Sequence, residues 1–176
     1  MFKIAILSAG ALIAAVLGYA ATRPDSFQVT RSITIKAKPE TIFPYINDFR
    51  QWQAWTPYNK DPEMKKTFGD TVTGTGATYA WEGNREVGKG DITIIDTQPP
   101  GMVEFELHMI KPFEGRNHVV FTLAAEGDTT RVTWAIDGKN SFTGKLISLF
   151  MDVDKMIGTD FEKGLQSLKT VVERNP

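Results

Sequence analysis

Catalysis needs groups that carry protons, charge or lone pairs where a substrate can reach them, and this sequence offers few. It has no cysteine, hence no thiolate nucleophile, no disulfide and no thiolate metal site. Its two histidines, His108 and His118, are the imidazoles that could serve as bases near neutral pH. His108 shares strand parity with Glu104 and Glu106, opposite Phe105 and Leu107, which reads as the wet face of a strand. His118 follows Arg116-Asn117 at the start of a strand and reads as a rim residue. Glu82, Arg85 and Glu86 surround the Gly83-Asn84 turn, a place that could border a cavity mouth, although charged turn residues are ordinarily just solvated. Asp152 and Asp154 have no histidine at metal-binding spacing. There is no Gly-x-Ser-x-Gly elbow, phosphate loop or zinc motif, and Gly74-Thr75-Gly76 lacks the third glycine and following helix of a dinucleotide site. No catalytic residue, metal ligand or cofactor site is therefore expected.

Large apolar side chains are the stronger signal. Aromatic residues make up 11% of the chain. A ligand-binding wall is expected from Trp52, Trp55, Tyr79, Trp81, Phe105, Phe121, Trp134, Phe150, Met151, Ile157 and Phe161, with the flexible thioether adapting to varied ligands. Ordinary core packing explains each of them singly, because burial stabilises an aromatic by about 1.5–3 kcal/mol with or without a ligand.

The elements that must position them follow from periodicity. Phe27, Val29, Ile33 and Ile35 alternate with polar residues as a half-buried strand, and Arg31, on the apolar parity, must pair or reach solvent. Pro39-Glu40 opens a helix with Ile42, Phe43 and Ile46 on one face, shortened or bent by Pro44. Trp52 and Trp55, three residues apart on a helical turn, point the same way. Short strands follow near Lys65–Phe68, Ala77–Glu82, Glu86–Thr97, Met102–Met109, Asn117–Ala125 and Thr130–Asp137, with turns at Pro99-Pro100-Gly101 and Glu126-Gly127-Asp128. From Lys145 to Arg174 the period changes, and Leu146, Leu149, Phe150, Val153, Ile157, Phe161, Leu165, Leu168 and Val172 mark one long amphipathic helix. Gly158 and Gly164 within it imply close approach of the sheet, or a bend. Strands followed by one large helix make an α+β domain whose antiparallel sheet needs that helix against its apolar face.

The amino-terminal run Ile4–Ala21 carries no charge over 18 residues, about 27 Å of helix, close to a hydrocarbon core. Residues 1–22 are expected to be a membrane anchor or a cleaved leader, and residues 23–176 the folded domain. The anchor fits the length better and puts the domain on the non-cytoplasmic side; cleavage would make it secreted or periplasmic. Lys+Arg of 20 against Asp+Glu of 21, with a pI near 6.1, give no basic footprint for a nucleic-acid partner.

The order of elements resembles the helix-grip fold of the START-like, or SRPBCC, superfamily, more narrowly its polyketide cyclase/dehydrase and lipid-transport branch. The resemblance runs from about Phe27 to Glu173. It is carried by Arg31-Ser32-Ile33-Thr34-Ile35, Asn47-Asp48-Phe49 with Trp52 and Trp55, and Gly76-Ala77-Thr78-Tyr79-Ala80-Trp81-Glu82-Gly83-Asn84. Thr130-Arg131-Val132-Thr133-Trp134 and Asp160-Phe161-Glu162-Lys163-Gly164-Leu165 complete it. It implies a curved antiparallel sheet wrapped around a long C-terminal helix, with a hydrophobic cavity between them. It does not imply one activity.

Two functions are expected to compete. One is a membrane-tethered binding module for an apolar small molecule such as a lipid, isoprenoid or quinone. The other is a cyclase/dehydrase-type enzyme using Tyr79, Glu82, Arg85, Glu106 or His108 inside the cavity, with a pKa moved by burial. A third, plainer expectation is an assembly or stress-response domain whose interior its own side chains fill.

Overall fold

The alternating segments form strands because every second residue can be buried while its neighbours stay wet. A computed structural model describes residues 2–174, the side chains of 2–9 and 11 excepted. The chain runs α1 (Phe2–Ala21), β1 (Ser26–Ile35), α2 (Pro39–Asn47), a 3₁₀ turn (Gln51–Ala54), β2 (Lys65–Phe68), β3 (Thr78–Glu82), β4 (Lys89–Gln98), β5 (Met102–Lys111), β6 (Gly115–Glu126), β7 (Thr129–Lys139), α3 (Phe142–Ile147) and α4 (Val153–Arg174). The strands make one antiparallel sheet in the order β1-β7-β6-β5-β4-β3-β2. This is the expected α+β helix-grip architecture. Ile92, Ile94 and Ile95 share β4, and Ile95, on the opposite parity to the other two, is exposed where the β4–β5 register shifts. The turn at Gly127 adopts φ +65°, which an L side chain rarely takes, and closes the Glu126↔Thr129 end of the β6–β7 hairpin.

Helix α4 lies along β1 on the concave face, burying Phe161, Leu165, Leu168 and Val172 at helical spacing. Its two glycines allow the approach. A Cβ at Gly164 would stand 2.8 Å from both Pro57 Cδ and Trp134 Cζ3, and one at Gly158 would collide with the Arg31 guanidinium. Arg31 meets its requirement for a partner here: Nε donates to Glu162 and Nη2 to Asp154, each at 2.8 Å.

The expected single helix from Lys145 to Arg174 is two. Asp152 Oδ1 accepts the Lys155 N–H at 2.9 Å, the bond of an N-cap, and Ser141 Oγ accepts the Gly144 N–H at 3.1 Å at the head of α3. These short polar side chains satisfy helix-end donors locally, which starts α3 after Ser141 and restarts the helix after Asp152, breaking the run just before it. Phe150 and Met151 fall in the break and are 78% and 50% exposed, so they do not face the sheet as expected.

The apolar run Ile4–Ala21 lies within α1, partly outside the described side chains. Among the described residues no helix is long and apolar enough to cross a membrane. Leu12 and Ile13 of α1 are exposed, while Ala20 is fully buried where the helix meets α3.

The Arg31 clamp makes a testable prediction. Hydrogen bonding to Arg31 holds the Asp154 carboxyl below its ordinary value. A depressed folded-state pKa contributes stability that is fully present above the unfolded value and lost as pH falls through the folded one. The loss begins below about pH 4, the unfolded value, and is complete only below the depressed folded one. Asp154→Asn should therefore show a shallower fall in Tm than wild type between about pH 5 and 3. Parallel Tm curves for the two proteins would show that the pair contributes nothing.

Candidate functional site

The concave face of the sheet is floored by a row of inward aromatics. Trp134 stacks on Phe161 with centroids 3.9 Å apart and planes 9° from parallel, and on Phe121 at 4.7 Å. Phe121 meets Phe105 at 6.0 Å. The segment after α2 lies over this row: Trp52 sits 5.5 Å from Phe105, and Trp55 is 5.7 Å from Trp134 and 5.9 Å from Phe121. Both indole N–H groups are satisfied at 2.9 Å, Trp52 by the Ile46 carbonyl and Trp55 by the Tyr45 carbonyl. Each of these six expected wall residues is at most 8% exposed. Here the space expected between sheet and long helix holds the protein's own rings.

Tyr79 and Trp81 stack at 6.0 Å toward the β2 side and are half-buried. Trp81 lies over Gly90, where a Cβ would stand 2.7 Å from the ring, and its N–H reaches the Val87 carbonyl at 3.1 Å. Ile157 is half-buried against the same core. Burial raises the Tyr79 phenol above its ordinary value. The other residues nominated for chemistry lie apart from it. Glu82 pairs with Lys89 at 3.0 Å and Glu106 with Arg116 at 2.6 Å, while Arg85 is exposed. His108 Nδ1 is 3.1 Å from Asp91, and His118 lies 3.3 Å from both Asp137 and Glu104, on the convex face. Among the described residues no cluster of acidic and histidine side chains could hold a metal ion.

A half-open cavity of about 750 Å³ lies elsewhere, at the end of the sheet where α1 joins β1 and where α3 gives way to α4. Phe27, Ile147, Leu149, Phe150, Met151 and Val153 supply its apolar lining. Arg23, Lys139, Asn140, Asp152 and Asp154 supply polar groups. Three of these are already committed, Asn140 to the Pro24 carbonyl, Asp152 to capping α4 and Asp154 to Arg31. Arg23 differs: its Nε is buried without a hydrogen-bond partner. A cavity of this size, mostly apolar with a few convergent polar groups, is the usual form of a small-molecule site.

The cavity owes its shape to the hinge from β7 to α3. Asn140 N–H donates to the Asp25 carbonyl at 2.8 Å, and its side-chain amide reaches the Pro24 carbonyl at 3.3 Å. Lys145, buried on α3, pairs with Asp25 and holds that carboxyl below its ordinary value. Of the eleven expected ligand-binding residues only Phe150 and Met151 line this space. The residues sequence reasoning missed are Arg23, Asn140 and the Asp25–Lys145 tie. Asp152, a helix-capping residue, was the signal that could have exposed the break beside it.

Fold and site together define a START-like, or SRPBCC, domain: a curved antiparallel sheet closed by a C-terminal helix, with a cavity beside it. The profile of the polyketide cyclase/dehydrase and lipid transport family matches residues 26–173. The chain belongs to that family, which holds ligand-binding and cyclase/dehydrase-type domains. None of the curated proteins matches it. Among solved structures, a protein of Chromobacterium violaceum superposes with a TM-score of 0.60 at 13% identity, over 86% of this chain and 99% of that one. An Aha1 dimer from Colwellia psychrerythraea gives 0.61 at 19% identity, over 84% and 96%. A protein of the dynemicin biosynthetic locus gives 0.57 at 15%, over 86% of this chain and 48% of that one. At these identities the likeness is one of fold.

Proposed function

We propose that the protein is a membrane-tethered binding module, holding an amphiphilic small molecule in the cavity between the α1–β1 linker and the α3–α4 break. One observation carries the reading. The 750 Å³ space combines an apolar lining with Arg23, whose buried Nε has no partner. An unmet buried guanidinium donor is costly, and an acidic or strongly accepting head group would satisfy it. The apolar part of the ligand would lie against Phe27, Leu149 and Val153. Tethering through α1 would keep the opening close to a source of such molecules and raise their effective concentration.

Support for the tether is chemical. Apart from Lys3, α1 has no charged residue along its 20 positions, and its described side chains Leu12 and Ile13 are open to their surroundings. Exposed apolar surface of this kind marks an interaction with membrane or protein.

The test is organic extraction of the full-length protein, purified in a detergent that is not itself retained, followed by mass spectrometry. Roughly one amphiphile per chain is expected, its level depending on the cavity. Extracts with no more lipid than those of an unrelated membrane-anchored control would overturn the reading.

A further inference from the structure

Large exposed apolar side chains gather at one end of this molecule. Phe113 in the β5–β6 turn is 59% exposed, Phe142 at the head of α3 is 51% exposed, and Phe150 and Met151 protrude between α3 and α4. Strand register brings these elements together. Asn117 pairs with Gly138, so the β5–β6 turn stands beside the β7–α3 hinge. Ser26 pairs with Lys139, so the end of α1 reaches the same hinge. Ile95, near the β4–β5 turn at the other end of the sheet, is exposed away from this patch.

We infer that this end of the domain docks on the surface of a lipid bilayer, with Phe113, Phe142 and Phe150 entering the boundary between head groups and acyl chains. The inference rests on the tethered reading above and deepens it. Three features select a bilayer. The apolar helix α1 leaves the domain at this end, so the patch is continuous with the tether. The aromatics project singly from separate elements, as tips suited to a fluid surface. Exposed Lys111, Lys139 and Lys155 stand beside them, each near one tip in sequence, a pairing that suits anionic lipid head groups. Four carboxylates share the region, and two of them are already paired, Asp25 with Lys145 and Asp154 with Arg31. Of the other two, Asp152 caps α4, and Glu114 Oε1 lies 3.8 Å from His108 Nε2. Docked in this way, the 750 Å³ cavity would open toward the membrane, because Phe150 and Met151 belong to both the patch and its lining.

The absence of native cysteine makes the test direct. Full-length Phe113→Cys, Phe142→Cys, Ile95→Cys and Leu12→Cys proteins are each labelled with an environment-sensitive NBD fluorophore. They are reconstituted in phosphatidylcholine–phosphatidylglycerol vesicles, with or without lipids spin-labelled high on the acyl chain for positions 113, 142 and 95 and near the chain end for position 12. Probes at 113 and 142 should shift to the blue and be quenched about twofold, while the probe at 95 stays in water. Probes at 113 and 142 that behave like the one at 95 overturn the docking. Position 12 reports the tether separately. Quenching there without quenching at 113 and 142 leaves the tether standing and removes the docking. Quenching at 113 and 142 without quenching at 12 supports docking and removes the tether.

Discussion

Replacing Trp134 by alanine should destabilise the domain by about 3–5 kcal/mol, the usual cost of truncating a buried indole. Trp134 is 4% exposed and packs against Phe161, Phe121 and Trp55. It is the ring through which α4 and the segment after α2 meet the sheet. Alanine would leave a void between rigid neighbours that cannot all collapse into it. Phenylalanine makes a sharper comparison. Trp134 Nε1 is buried without a hydrogen-bond partner, so Trp134→Phe removes an unmet donor along with some packing. Trp55→Phe removes a donor that satisfies the Tyr45 carbonyl at 2.9 Å and leaves that carbonyl unpaired. Unpaired buried polar groups cost about 1–3 kcal/mol, so Trp55→Phe should be the more destabilising of the two by at least about 1 kcal/mol. Urea unfolding of the full-length proteins in detergent, followed by near-ultraviolet circular dichroism, measures all three. Equal losses for the two phenylalanine variants would show that the indole hydrogen bonds do not matter. A loss below about 1 kcal/mol for Trp134→Ala would show that the α4–sheet contact is not the centre of the core.

Arg23→Gln should lower affinity for an acidic amphiphile about 10- to 100-fold, the equivalent of a charge-assisted hydrogen bond of about 1.5–3 kcal/mol. A neutral amphiphile with the same tail should lose much less. Ser148→Trp, which places an indole in the cavity lining, should weaken both by at least about tenfold. Neither substitution touches the aromatic core, so Tm should change little. The measurement is displacement of a fluorescent fatty-acid probe from the full-length protein. Equal losses for acidic and neutral ligands in Arg23→Gln would remove the head-group role of Arg23. Unchanged binding in Ser148→Trp would remove the cavity itself from the proposal.

Local chemistry made much of the fold legible. The alternation of Val103, Phe105 and Leu107 with Glu104, Glu106 and His108 declares a strand with one dry face whatever its neighbours are, because side chains on a strand alternate strictly. The spacing of Phe161, Leu165, Leu168 and Val172 declares a helix stripe in the same way. Even the two glycines of α4 and the odd position of Arg31 carried a readable demand for close approach and for a partner. Their pairing with Asp154, Glu162 and Trp134 answers it.

Whether an aromatic is wall or core was not legible, because burial rewards both equally. Tertiary structure decided it by laying Trp52 and Trp55 over Phe105, Phe121 and Trp134 and satisfying their N–H groups on Ile46 and Tyr45 carbonyls. It also decided where empty space remains. The cap at Asp152 outweighs an apolar pattern that would run straight through it, and the break before it turns Phe150 and Met151 outward beside Arg23. Residues as distant in sequence as Asp25 and Lys145 meet there. Periodicity reports which face of an element is apolar; only the packing of all the elements shows which apolar faces find a partner and which stay open.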